Sequence, residues 1–98
     1  MKILIIENGQ EPREADIENT LQAMHTVVGG YIETVRLNHN TILVCNEEGK
    51  LIGLTPNRRI GKDIICGTFF IAGSDAEDFR DLTFKQIQQY TAFFRISA

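Results

Sequence analysis

The chain has 98 residues, of which 43% are hydrophobic and 23% charged, and its formal charge is −3. That length predicts a single domain over residues 1–98 with one modest core, and the balance argues against disorder. The acidity is mild: it excludes broad nucleic-acid binding, which needs a basic face, and it falls short of the long acidic rows that would imitate phosphate spacing.

Lys2 to Ile6 is dense in Ile and Leu and predicts a first strand. Asn8-Gly9 marks a turn that ends at Pro12, and Arg13 to Ile17 is expected to return antiparallel to that strand. Asn19 and Gln22 form a capping-box pattern that starts a helix, with Leu21, Met24, Val27 and Val28 as its core stripe. Gly29-Gly30 ends that helix. Tyr31 to Leu37 predicts a strand, and Glu33 interrupts its apolar side, as in an edge strand or one carrying a polar site. Thr41 to Gly73 organises the rest. Ile42 to Cys45 is a continuous apolar run, and Ile64 to Ala72 nearly so, which fits strands buried on both faces. Between them the expectation is a hairpin turn at 46–50, with Gly49 in the left-handed conformation, a second arm over Lys50 to Leu54, and a polar loop over 55–62. Pro56 is expected to end pairing, and Gly67 to mark a bulge, bend or close approach inside one long strand. An acidic loop follows at 74–81, anchored by Phe79. Thr83 and Gln86 form a second capping box, with Leu82 and Ile87 as its staple, and Phe84, Ile87, Thr91 and Phe94 as the inward side.

Together these predict an α+β fold: a curved, mostly antiparallel sheet of five or six strands with one or two packed helices. Val44 and Phe69 or Phe70 should sit at its centre. No apolar run approaches the ~18 residues of a membrane helix, so no membrane role is expected. The short apolar start is no signal peptide, and a cytoplasmic location is expected. Cys45 and Cys66 then read as buried, reduced thiols.

No phosphate-binding glycine loop, nucleophile elbow or zinc spacing occurs, and the acidic loop lacks the calcium-hand pattern. No metal and no cofactor are expected. His25 and His39 have no sequence partner and read as surface residues. The 55–62 loop is the candidate site, because it gathers Asn57, Arg58, Arg59 and Lys62, and arginine forks suit carboxylate or phosphate. The blander reading is a charged turn, with Asn57 bonding its own backbone and the arginines solvated or paired with Glu47, Glu48 or Asp63. Arg58 separates the two readings: it is either an exposed ligand group or a strut paired with Glu33 or Glu48.

The blocks Val28-Gly-Gly-Tyr-Ile-Glu33, Val44-Cys-Asn-Glu-Glu-Gly-Lys-Leu51, Pro56-Asn-Arg58 and Asp63 to Gly73 resemble domain-of-unknown-function family 3846. The resemblance covers nearly the whole chain. It implies a small accessory protein of phages, plasmids and conjugative elements, and no mechanism. It marks Gly29, Gly30, Tyr31, Glu33, Glu48, Asn57, Arg58, Gly67 and Thr68 as motif positions. The expected function is therefore a non-enzymatic binding module for a host or element protein. The alternative is a binder or sponge of a small anionic ligand such as a nucleotide, using the 55–62 loop with Glu33 and Glu48. A third reading, an enzyme with Glu33 or Glu48 as acid or base beside Arg58, requires those groups to meet. The aromatic surface of the last helix, Phe84, Tyr90, Phe93 and Phe94, also suggests a homodimer.

Overall fold

A computed structural model describes residues 1–96; the last two positions of the expected 1–98 domain lie outside the described residues. The elements run β1 (Lys2–Ile6), β2 (Arg13–Asp16), α1 (Leu21–Val28), β3 (Ile32–Asn38), β4 (Thr41–Asn46), β5 (Pro56–Ile60), β6 (Asp63–Cys66), β7 (Phe69–Asp75), β8 (Asp78–Arg80) and α2 (Phe84–Phe93). A six-stranded sheet has the order β2-β1-β7-β4-β3, with β8 also paired to β7, and β5 and β6 form a separate two-stranded sheet. All pairs are antiparallel. The α+β architecture and the antiparallel sheet expected from the sequence are present.

The apolar runs are continuous because both faces of the main sheet are covered. On one face Leu4, Leu43 and Ile71 pack with Ile87 and Tyr90 of α2, with its C-cap Phe94 and with Ile65 of β6. On the other face Ile3, Val44 and Phe70 pack with Met24 and Val28 of α1. Val44 pairs with Phe70 in the ladder, and both are wholly buried together with Phe69, as expected of the sheet centre. Phe69 meets Phe94 edge to face at 5.3 Å, an arrangement worth about 0.5–1.5 kcal/mol beyond area burial. β3 is an outer strand, and its exposed Glu33 and Arg36 are charges of the kind that guard a sheet edge.

The helix ends follow their caps, with one correction. Thr20, not Asn19, is the N-cap of α1 and accepts from the Ala23 N–H at 3.2 Å. Asn19 lies one residue earlier, and its amide donates to the Phe79 carbonyl instead. Leu21, at the first helical position, is consequently exposed rather than part of the stripe. Gly29 closes α1 in the left-handed conformation. The capping box of Thr83 and Gln86 opens α2 as predicted. The inward side of α2 is Gln86, Ile87 and Tyr90, continued by the buried C-cap Phe94, whereas Phe84 is 74% exposed. The 74–81 segment is not a loop: β7 runs to Asp75 and β8 returns from Asp78, with Phe79 partly buried as the anchor.

The middle of the chain departs most from expectation. No second hairpin arm follows β4. Residues 47–53 instead make successive turns, held by bonds from Ile52 N–H to Glu48 O at 3.0 Å and from Leu54 N–H to Gly49 O at 2.9 Å. Asn46 diverts the chain. Its buried side chain accepts from the Glu48 N–H at 2.8 Å and donates to the Val28 carbonyl at 3.2 Å. Gly49 does not have a positive φ. It is needed because a Cβ there would lie 2.8 Å from the Cys66 carbonyl oxygen. The expected 55–62 loop is β5 and a tight turn, and Pro56 begins that strand rather than ending one, a position at which its missing N–H is tolerated. The expected long strand is broken at Gly67, whose φ of 84° turns the chain from β6 into β7. A Cβ there would also meet Leu54 at 2.6 Å. The run is interrupted because β6 must pair with β5 while β7 pairs with β1 and β4.

Candidate functional site

The β5 arm places Asn57 and Arg58 inside a network of backbone acceptors. The Asn57 amide donates to Ile6 O and Gly67 O, each at 2.9 Å, tying the end of β1 to the β6–β7 break. Its oxygen accepts from Arg58 Nη1 at 2.8 Å. Arg58 Nε donates to Phe94 O at 3.0 Å, and Nη2 donates to Gln10 O at 2.6 Å. Arg58 is thus half-buried and joins three segments: β5, the turn after β1 and the C-terminal end of α2. A guanidinium at a helix C-terminus also meets the negative end of the helix dipole. The carboxylate partners expected for it, Glu33 or Glu48, do not reach it. Arg58 is a strut, and its acceptors are carbonyl and amide oxygens.

A depression of about 340 Å³ lies beside this strut, lined by Asn8, Gly9, Asn57, Arg58, Arg59, Arg95 and Ile96. Arg59 and Arg95 are exposed. Among the described residues none of these three arginines is in an ion pair; the pairs are Arg13–Glu7, Lys50–Asp63 and Arg80–Asp75. Glu11 is the nearby carboxylate, and it accepts from the Ile96 N–H at 2.7 Å. Lys62 sits in the exposed β5–β6 turn and does not line the depression.

A second concavity, about 380 Å³, lies where β4, β6 and the 47–53 turns meet. Glu33, Cys45, Glu47, Lys50, Asp63 and Cys66 supply its polar atoms, and it shares no residue with the first. The sequence candidates therefore separate: Asn57, Arg58 and Arg59 go to one cavity and Glu33 to the other. Glu48 is exposed on the turn and lines neither. The acid–base pairing of Glu33 or Glu48 with Arg58 is not formed. In the second cavity the Cys45 thiol lies 3.9 Å from a Glu33 carboxylate oxygen. Burial first, and then the charges of Glu33 and Asp63, push that thiol up from 9.0 to about 11. Lys50 and Asp63 form an exposed ion pair. The hydrogen bond from Lys50 holds the Asp63 carboxyl below its ordinary value, helped by the Ile64 N–H, and the same bond raises the Lys50 ammonium.

Reasoning from sequence missed Arg95, Lys50 and Asp63, and also the apolar pair Leu51 and Ile52. These last are 85% and 57% exposed at the tip of the 47–53 turns. Their exposure carried no local signal, because two apolar residues after a turn look like the start of a strand. Arg95 follows the end of α2, 36 positions from Arg59, and the bond from Arg58 to the Phe94 carbonyl brings that end close to β5. Among the described residues no group of His, Cys, Asp and Glu is arranged to hold a metal ion. No helix among them is long and apolar enough to cross a membrane.

No curated protein and no solved structure matches the chain. A family model described as Domain of unknown function (DUF3846) matches residues 1–95, and the chain belongs to that family.

Proposed function

We propose that this chain is a non-enzymatic accessory binding module of a mobile genetic element, working in the cytoplasm and engaging a protein encoded by the element or its host. The observation that carries the reading is the apolar tip at Leu51 and Ile52, presented to solvent on a turn that is held in place. Asn46, the close fit of Gly49 under Cys66, and the Lys50–Asp63 pair fix the turn on three sides. A fixed projection loses little entropy on docking. Tyr31, 67% exposed, stands at the same end, because its carbonyl accepts from the Glu47 N–H at 2.8 Å. Exposed aromatic and aliphatic side chains gathered at one end are the anchors a protein interface uses. In the adjoining cavity the Cys45 thiol, pushed up to about 11, stays protonated and is a poor nucleophile.

The test is a photo-crosslinker at Leu51 in the host cell, compared with the same protein carrying Ile52→Asp. A discrete adduct that the substitution abolishes, with the fold unchanged by circular dichroism, is the expected result. Equal adducts in both would overturn it. A second reading, a small anionic ligand bound along β5, is favoured by one observation: three arginines around one depression, none of them in an ion pair among the described residues.

A further inference from the structure

We propose that the depression between the turn after β1, β5 and the end of α2 binds the phosphate group of a small phosphomonoester, and that Arg95 is one of its ligands. The proposal rests on the second reading above and deepens it.

Three guanidinium-bearing residues converge there in a chain whose formal charge is −3. Like charges held together repel, and a bound anion relieves that repulsion. Among the described residues none of the three is in an ion pair. Arg58 bonds only neutral oxygens, of Phe94, Asn57 and Gln10. Arg59 and Arg95 have no ion-pair partner among the described residues. Glu11 accepts from the Ile96 N–H and keeps its charge, so three arginines and this one nearby carboxylate still leave a net positive site among the described residues.

The three cations have different parts. The Arg58 guanidinium is fixed by its carbonyl partners, so it supplies a preset positive field without side-chain ordering. Arg59 and Arg95 flank the depression from two chain segments and are free to close on a ligand. Arginine presents a planar fork that matches phosphate oxygens, which suits a doubly charged monoester better than a single carboxylate. The volume, about 340 Å³, is in the range of small-molecule sites and exceeds what a bare phosphate needs. Ile96 and Asn8 line the remainder, one apolar wall and one amide, for the organic part of the ligand.

The test is isothermal titration of the full chain at low salt with adenosine monophosphate, inorganic phosphate and adenosine, on wild type, Arg59→Ala and Arg95→Ala. Both substituted residues are exposed, so both variants should fold, and their melting curves check this. Arg58→Ala is not used, since it removes a strut. The expected result is that the nucleotide binds, adenosine does not, and each variant binds the nucleotide about tenfold or more weakly, the loss of one charge-assisted contact. Phosphate binding as tightly as the nucleotide, with the same loss in both variants, supports the phosphate chemistry and names free phosphate as its source. Nucleotide binding that neither substitution weakens overturns the inference while leaving the anionic-ligand reading standing. No heat with either phosphate-bearing probe overturns both.

Discussion

Removing Arg58 should unfold this protein far more readily than removing its neighbour Arg59. The side chain donates to Phe94 O, Gln10 O and Asn57 Oδ1, and it is half-buried. Hydrogen bonds from a charged group contribute about 1.5–3 kcal/mol each. The one to Gln10 is exposed, and water replaces it in the variant. The bonds to Phe94 and Asn57 are partly buried, and their acceptors are left poorly paired. Loss of the cation at the end of α2 adds about 0.3–1 kcal/mol. After dropping the exposed bond and halving each of the two partly buried ones, because water reaches their acceptors in the variant, Arg58→Ala should cost about 2–4 kcal/mol, a large share of the roughly 5–15 kcal/mol that holds a domain together. For a chain of this size that lowers Tm by about 10–20 °C. Arg59→Ala should stay within about 0.5 kcal/mol of wild type, as exposed substitutions do. Arg58→Lys should recover little, because one ammonium cannot serve acceptors in three directions. Urea and thermal melts of the three variants decide this. Equal midpoints for Arg58→Ala and Arg59→Ala would refute the strut, and so would full rescue by lysine.

Gly49→Ala should cost about 1–3 kcal/mol, the range of an overpacked site, because the new methyl meets the Cys66 carbonyl at 2.8 Å; an unchanged urea midpoint would show that the turn yields freely. The Cys45 thiol is raised from 9.0 to about 11 in the folded chain, so the unfolded state releases its proton first as pH rises. That stabilisation is complete below pH 9 and fades between pH 9 and 11, by about 3 kcal/mol at most. Cys45→Ser, which does not titrate there, should flatten that part of the pH–stability curve, and an unchanged slope would count against the assignment. Tyr90 and Phe94 are buried, which leaves Phe84 (74% exposed) and Phe93 (60% exposed) as the aromatic surface for a second copy. A dimer seated there should dissociate with Phe93→Ser, and a wild-type mass of 11.1 kDa by light scattering at high concentration would exclude it.

Local chemistry determined the parts of this protein that close on themselves. The first strand, both helices, the Thr83 cap, the glycine stop at Gly29 and the α+β class follow from capping residues, apolar runs and turn signals a few positions apart, although the α1 cap fell on Thr20 and not on Asn19. Glu33 left β3 as an edge strand or one carrying a polar site, and the structure has it at the sheet edge with Glu33 lining a cavity. Tertiary structure decided whatever depends on which sheet a segment joins. Asp63 to Ala72 carries strand-forming residues almost throughout, and only the competing demands of β5 and of β1 with β4 break it at Gly67. Pro56 could end a strand or begin one until β6 was there to pair with it. The site behaves likewise. Asn57 and Arg58 were legible as a concentrated polar pair, but their partners at Ile6, Gln10, Gly67 and Phe94 are distant in sequence. Glu33 and Arg58 belong to different cavities, and Arg95 joins Arg59, because hydrogen bonds to backbone carbonyls draw α2, β5 and the first turn together. Backbone carbonyls are present at every residue, so their recruitment leaves no mark in composition or spacing, and only the packed chain reveals it.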